Sequence, residues 1–266
     1  EMKNATIVAP QPEAVEAGAE VLERGGNAID AALACAFVQG VVDPQMAGIG
    51  GFGSMHVYMP GKGINEILEF YARAPLSAPP DMWVDRISHQ SRDGFGYVLV
   101  GNISDIGYQA VCTPGSLRGY EAALRDYGTF DWADLIAPAI RYARDGFMIR
   151  NHMHWYWTKD QSNDGFVNTI DKLRFSRSGR ASYFHPDGTI RNVGETLVNR
   201  DMAATLERIA RSGGSDIFYH GDIAEEIAAD FKENGGLIDG SDLARYELSK
   251  AKPIWGEYRG HRIATS

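Results

Sequence analysis

The residues best placed to do chemistry lie in Glu69-Phe70-Tyr71-Ala72-Arg73-Ala74-Pro75. The run ends a β-prone stretch at a proline, and side chains alternate along a strand, so Tyr71 and Arg73 share one face while Ala72 takes the other. A guanidinium there could bind a substrate carboxylate through a bidentate pair, with Tyr71 as a neutral hydrogen-bonding neighbour. The competing reading is structural: a strand-end arginine in a salt bridge with Glu69 or a more distant acid, worth little at a surface.

Gly48-Ile49-Gly50-Gly51-Phe52-Gly53 fits the dinucleotide pattern G-x-G-x-x-G, but its context is reversed. The fingerprint must leave a strand and open a helix so that the helix N-terminus meets a pyrophosphate. Here the glycines leave a helix and enter a strand, so close backbone packing or a bare wall beside a pocket is expected instead. His152 and His154 would face one side of a strand as a potential metal pair, but no third ligand is near. With Trp155, Tyr156 and Trp157 following, an aromatic packing patch or subunit contact is the better reading. No metal site is expected. Cys35 and Cys112 can form neither a disulfide framework nor a four-thiolate zinc site and are read as small packed residues.

These residues need elements to hold them. Ala5 to Ala9 reads as a short strand. Pro12 opens a helix carrying Val15, Ala19 and Leu22 at helical spacing, which stops at Gly25-Gly26 as a left-handed cap requires. Asn27 is placed to cap a second helix, with Asp30 near its positive end, and Ala31 to Val38 is apolar on every face, the mark of a buried helix. Ser54 to Met59 and Ile64 to Phe70 form a hairpin across Gly61-Lys62-Gly63, lying on that helix. From Pro114 onward the spacing is helical over Gly119 to Tyr127, Trp132 to Asp145, Met202 to Arg211 and Ile223 to Asn234, with Asp131 and Asp222 as caps. Residues 148 to 194 are the least periodic and read as an elaborated surface loop region. The whole is expected to be one segment, with a strand, helix and hairpin part over 1–113 and a mainly helical part over 114–266.

Composition excludes several functions. The net charge of −9 opposes binding to a phosphate backbone or an anionic lipid surface, so no nucleic-acid or membrane partner is expected. The longest apolar run, Ala31 to Val38, is far short of the roughly 18 to 20 residues that cross a bilayer. No basic region followed by an apolar stretch opens the chain, so it is expected to be cytoplasmic, or periplasmic or secreted after signal removal. Glycine is in excess, 30 of 266 residues against roughly 7% in ordinary proteins, which requires many positions of positive φ or close approach.

Taken in order, several stretches resemble the large subunit of the γ-glutamyltranspeptidase family. They are Glu13 to Ala32 (EAVEAGAEVLERGGNAIDAA), Val41 to Gly53 (VVDPQMAGIGGFG), Arg73-Ala74-Pro75, Thr113-Pro114-Gly115-Ser116 and Tyr127 to Phe147. Arg200 to Thr205, Phe218 to Tyr246 and Glu257-Tyr258-Arg259-Gly260 continue the likeness in one collinear order. The resemblance implies an α+β fold, the αββα sandwich of N-terminal-nucleophile hydrolases. It also implies a precursor that cuts itself into large and small subunits, the small one beginning with a catalytic threonine. That hydroxyl attacks an amide, its own α-amine serves as base, and the acyl-enzyme passes to water or an amine, with no cofactor. The small subunit is thus the implied partner, and a small amide or γ-glutamyl compound the implied substrate.

Two departures bear on the carry-over. The family continues beyond the segment matching Ala264-Thr265-Ser266 before reaching its nucleophile, so no catalytic residue is assigned here and the 266-residue chain alone is expected to be inactive. Second, γ-glutamyl enzymes hold the substrate α-carboxylate with an arginine at the position of Tyr71, four residues before Pro75. Tyr71 brings no charge, so the clamp is lost unless Arg73 replaces it. The leading expectation is therefore an amidohydrolase whose acyl group need not be glutamyl, with Tyr71 and Arg73 as substrate-binding residues. The alternatives are true γ-glutamyl transfer or glutathione hydrolysis with Arg73 as clamp, and a non-catalytic binding or scaffold protein.

Overall fold

The computed structural model describes residues 4–92, 94, 96–161 and 165–266. It begins with two helices, α1 (Pro12–Glu23) and α2 (Ala28–Val42), packed on each other. Pro12 stands in the first turn of α1, and Gly25 follows the helix at φ +92°, a conformation that a side chain would strain. Asn27 caps α2 as its type and position require: its side-chain oxygen accepts from the Ile29 and Asp30 amides at 2.7 and 3.2 Å, and Asp30 Oδ2 accepts from the Asn27 amide at 2.8 Å. Leu33, Ala34, Phe37 and Val38 of α2 are buried, at roughly 1.5 to 3 kcal/mol for each large side chain.

Asp30 does more than close the helix. Its carboxylate is fully buried and also accepts from the Thr129 amide (2.7 Å), the Thr129 hydroxyl (2.7 Å) and the Phe130 amide (3.1 Å). One side chain thereby joins the start of α2 to a turn a hundred residues away.

The glycine run leads into β1 (Gly53–Met59), which turns through Gly63 at φ +69° into β2 (Ile64–Phe70). The two pair antiparallel from Gly53 with Phe70 to Met59 with Ile64. Beyond them come a small hairpin, β3 (Ile87–Gln90) with β4 (Tyr97–Leu99), then α3 (Ser116–Tyr127) and α4 (Trp132–Asp145). The expected hairpin is present, but the helix directly beneath it is α3. The Phe70 ring fills the notch at Gly119 and meets Tyr120 edge-on at 5.9 Å, and α2 stands behind, with Phe37 edge-on to Tyr120 at 5.1 Å.

The chain continues through β5 (Phe147–Met148), α5 (Asn151–Thr158), α6 (Thr169–Phe175), α7 (Arg177–Tyr183) and β6 (Thr196–Leu197). It then forms α8 (Arg200–Ser212), α9 (Asp216–Tyr219), α10 (Asp222–Glu233) and α11 (Gly240–Ala244). Strand β7 (Ser249–Ala251) returns to the other edge of β2, making the sheet order β1-β2-β7. Flanked on both sides, β2 buries Ile67 and Leu68 together. A last ribbon, β8 (Ile254–Tyr258) and β9 (His261–Thr265), pairs across Arg259 and Gly260, both at positive φ. The architecture is α+β: helices with small antiparallel sheets.

Several expectations are corrected. Ala5 to Ala9 forms no strand among the described residues; Ile7 packs across Gly18 instead. The described residues of 148 to 194 are not a surface loop: they carry three short helices with Met153, Trp157 and Tyr183 buried, and Ile149 just before them is buried too. His152 and His154 lie on helix α5, where a spacing of two sends them to different faces. His152 Nε2 lies 2.6 Å from Gln11 Nε2, and no group of three metal-ligating side chains occurs among the described residues. Asp131 sits at the start of α4 without a side-chain capping bond. Asp222 lies one residue inside α10 and pairs with Arg208 at 3.0 Å. Cys112 is exposed rather than packed, while Cys35 is half-buried.

Candidate functional site

The candidate site forms where β1, β2 and α3 converge on the glycine loop. Thr113 and Arg73 exchange backbone hydrogen bonds at 2.8 and 3.1 Å, and the Gly51 carbonyl accepts from the Gly115 and Ser116 amides at 2.9 and 3.1 Å. Only glycine fits at 115: a Cβ there would lie 2.0 Å from Tyr246 Oη and 2.3 Å from the Phe70 carbonyl oxygen. The backbone therefore closes tightly around the end of β2.

Strand β2 ends at Phe70, so Tyr71 and Arg73 stand just outside the ladder. The Tyr71 carbonyl accepts from Tyr246 Oη at 2.7 Å while its ring is 51% exposed, 6.2 Å from the ring of Phe52, itself 62% exposed. Arg73 makes neither of the ion pairs considered from sequence. Its Nη2 donates to the Glu247 carbonyl at 2.6 Å, and its guanidinium lies 5.5 Å from the centre of the Tyr246 ring. Tyr246 is in turn stacked on Tyr219, whose hydroxyl donates to the Pro114 carbonyl at 3.0 Å. Burial pushes the Tyr246 hydroxyl above the usual phenol range, against a smaller pull from Arg73, so it remains a hydrogen-bond donor.

Phe52 also borders a cleft of about 610 Å³, walled by Gly48, Gly50 and Gly51 and by Ser116, Tyr120, Tyr183 and Asn199. The expected bare glycine wall beside a pocket is found here. None of the side chains lining the cleft is charged. Burial pushes the Tyr120 hydroxyl up, partly offset by its bond with Ser116, and pushes Tyr183 up to about 12, so both stay neutral. Such a cleft can hold an amide or acyl group by hydrogen bonds, but it contains no charged base to activate a nucleophile.

The loop that forms the cleft is anchored below by Asp43, a buried carboxylate that accepts from the side-chain amides of Gln39 (2.6 Å) and Gln45. Burial pushes the Asp43 carboxyl up, opposed by bonds from Gln11 and Gln39 and by nearby His152. Trp157 Nε1 donates to Gln45 Oε1 at 3.1 Å, tying α5 to the same loop. Sequence reasoning missed Phe52, Tyr120, Tyr183 and Asn199 as cleft residues. Thr113-Pro114-Gly115-Ser116 was the signal that could have led to Ser116 and Tyr120, one turn apart on α3.

Comparisons with known proteins bear on the family and the fold. The sequence profile of the family described as Gamma-glutamyltranspeptidase matches residues 14–266. The glutathione hydrolase proenzyme of Bacillus subtilis (strain 168) is 36% identical over 264 residues, 99% of this chain and 42% of that protein. The acylase ACY 1 proenzyme of Pseudomonas sp. (strain SE83) is 36% identical over 262 residues, 97% of this chain and 43% of that protein. The chain thus spans less than half the length of these curated relatives. The solved gamma-glutamyltranspeptidase of Helicobacter pylori superimposes with a TM-score of 0.84 at 34% identity, covering 100% of this chain and 71% of that one. The fold is accordingly of the N-terminal-nucleophile hydrolase type expected from the sequence, with this chain supplying helices and a small sheet. A profile match over all but the first residues, with a superposition of this quality, establishes that the chain belongs to the gamma-glutamyltranspeptidase family.

Proposed function

We propose that this chain is the large-subunit portion of an amidohydrolase or acyltransferase that cleaves a small amide through an acyl-enzyme on a threonine outside these residues. The observation that carries the reading is the collinear match of nearly the whole chain to proenzymes named as glutathione hydrolase and acylase. The cleft is consistent with it, since it offers hydrogen bonds without a base. In the proposed reaction a threonine hydroxyl attacks the amide carbonyl, its proton passes by way of the α-amine to the departing amine, and an ester remains. Water or a second amine then attacks the ester, releasing the acyl product and restoring the hydroxyl.

The acyl group in this reading need not be glutamyl. Arg73 is engaged by the Glu247 carbonyl and the Tyr246 ring, and Tyr71 has no charge to offer a carboxylate. Comparing γ-glutamyl-anilide with simple acyl anilides on the complete protein tests this. Hydrolysis of the simple acyl compounds at equal or higher kcat/KM is expected, and a strong preference for the γ-glutamyl compound would contradict it. Arg73→Ala separates the readings further. A carboxylate clamp at Arg73 would lose on the order of 2 to 3 kcal/mol, seen as a large rise in KM for γ-glutamyl-anilide. The expected result is a change in KM within about threefold, or roughly 0.6 kcal/mol.

A further inference from the structure

We infer that Phe52 and Tyr71 together form the seat for the acyl group, and that the group they take is neutral and aromatic; this rests on the amidohydrolase reading and names its substrate class. Elsewhere near the site, aromatic rings are spent on the core: Phe37, Phe70 and Tyr120 meet edge-on and are wholly or partly buried. Phe52 and Tyr71 leave more than half their surface uncovered by the rest of this chain while standing 6.2 Å apart at a 37° tilt. Both are held through their backbones and not through their rings. Tyr71 is fixed by the bond from Tyr246 Oη to its carbonyl, and Phe52 lies between Gly51, whose carbonyl takes two amides, and Gly53, which pairs with Phe70. An aromatic ring on a held backbone has only two side-chain torsions to order, so it offers an apolar face at small entropic cost on binding.

Electrostatics select the ligand's charge. No side chain of this chain that lines the adjoining cleft is ionised, and the nearby cation, Arg73, turns one donor to the Glu247 carbonyl and its guanidinium toward the Tyr246 ring. A carboxylate or ammonium entering the cleft would lose hydration and meet no counter-charge among these lining residues. An aryl group loses only apolar hydration and gains tilted or edge-on contact with two rings. Ser116 and Asn199 on the wall of the adjoining cleft carry a hydroxyl and an amide as donors for the carbonyl of such a compound.

Calorimetric titration of the complete protein with phenylacetamide, hexanamide and L-glutamine tests the inference. Phenylacetamide is expected to bind at least about tenfold more tightly than L-glutamine and more tightly than hexanamide. Phe52→Ala and Tyr71→Ala should each weaken it by about five- to tenfold, and Tyr71→Phe, which keeps the ring, by less than about twofold. Thermal unfolding of the variants within a few degrees of the parent protein separates loss of the seat from loss of the fold. Equal or tighter binding of L-glutamine or hexanamide, or alanine variants that bind phenylacetamide unchanged, would overturn it. The two readings fail separately. Ring-dependent phenylacetamide binding without hydrolysis of any amide would keep the seat and remove the amidohydrolase, while amide hydrolysis without ring-dependent binding would do the reverse.

Discussion

Gly115→Ala is expected to cost more than about 3 kcal/mol of stability and to reduce amide turnover by the complete protein on the order of a hundredfold. The backbone at 115 is ordinary, with φ −118°, so the effect is steric and not conformational. The added methyl would meet Tyr246 Oη at 2.0 Å and the Phe70 carbonyl at 2.3 Å. Neither can retreat. Tyr246 is buried, stacked on Tyr219 and bonded to the Tyr71 carbonyl, and Phe70 is the last residue of a strand paired on both sides. Relief must come from the Gly51 to Gly115 hydrogen bond or from the end of β2, and either movement displaces Phe52 and Tyr71. Gly61→Ala is the control, since its Cβ would meet nothing within 4 Å. Denaturant unfolding and anilide hydrolysis measured on both variants check the prediction; a Gly115→Ala protein equal to Gly61→Ala would contradict it.

The second large effect concerns Asp30. Replacing it with Ala should lower the unfolding free energy by about 3 to 5 kcal/mol, because the N–H and O–H donors of Asn27, Thr129 and Phe130 lose their shared buried acceptor at once. Urea unfolding should show a lower midpoint at an unchanged slope. The pH dependence has a definite sign. Burial pushes the Asp30 carboxyl up, but the Thr129 hydroxyl and amide, then the Asn27 and Phe130 amides, outweigh it and hold the carboxyl below its ordinary value. A depressed folded value stabilises the fold above the unfolded value of about 3.9. The advantage of the parent protein over Asp30→Asn should thus be full near neutrality and vanish as pH falls through the folded value. A constant difference down to acid would contradict the assignment.

What the sequence made legible follows from range. Asn27 and Asp30 read as a capped helix start because the signal spans three residues, and Gly25 as a helix stop because one position needs positive φ. Two β-prone runs, Ser54 to Met59 and Ile64 to Phe70, on either side of Gly61-Lys62-Gly63 announced the hairpin. Helices α5, α6 and α7 escaped because seven or eight residues complete barely two turns, too few for periodicity to stand out. Tyr183 was lost from the cleft with them. The environment of Arg73 escaped for a different reason: its partners Tyr246 and Glu247 lie more than 170 positions away, and spacing carries no information about such contacts. Asp131 and Asp222 show the limit of residue type alone. Each stands at a helix start, yet neither caps, and Asp222 turns to Arg208 instead.

The central claim is that these residues build the binding half of a divided active site while the attacking hydroxyl belongs to another segment. Its most direct test is to trap the acyl-enzyme of the complete protein with an activated aryl-acyl ester, quench in acid, and map the modified peptide by mass spectrometry. The account predicts one acyl adduct on a threonine outside residues 1–266, with Ser116 and every other hydroxyl of this chain unmodified. A stoichiometric adduct on any residue of 1–266 that forms and decays at the rate of turnover would contradict it.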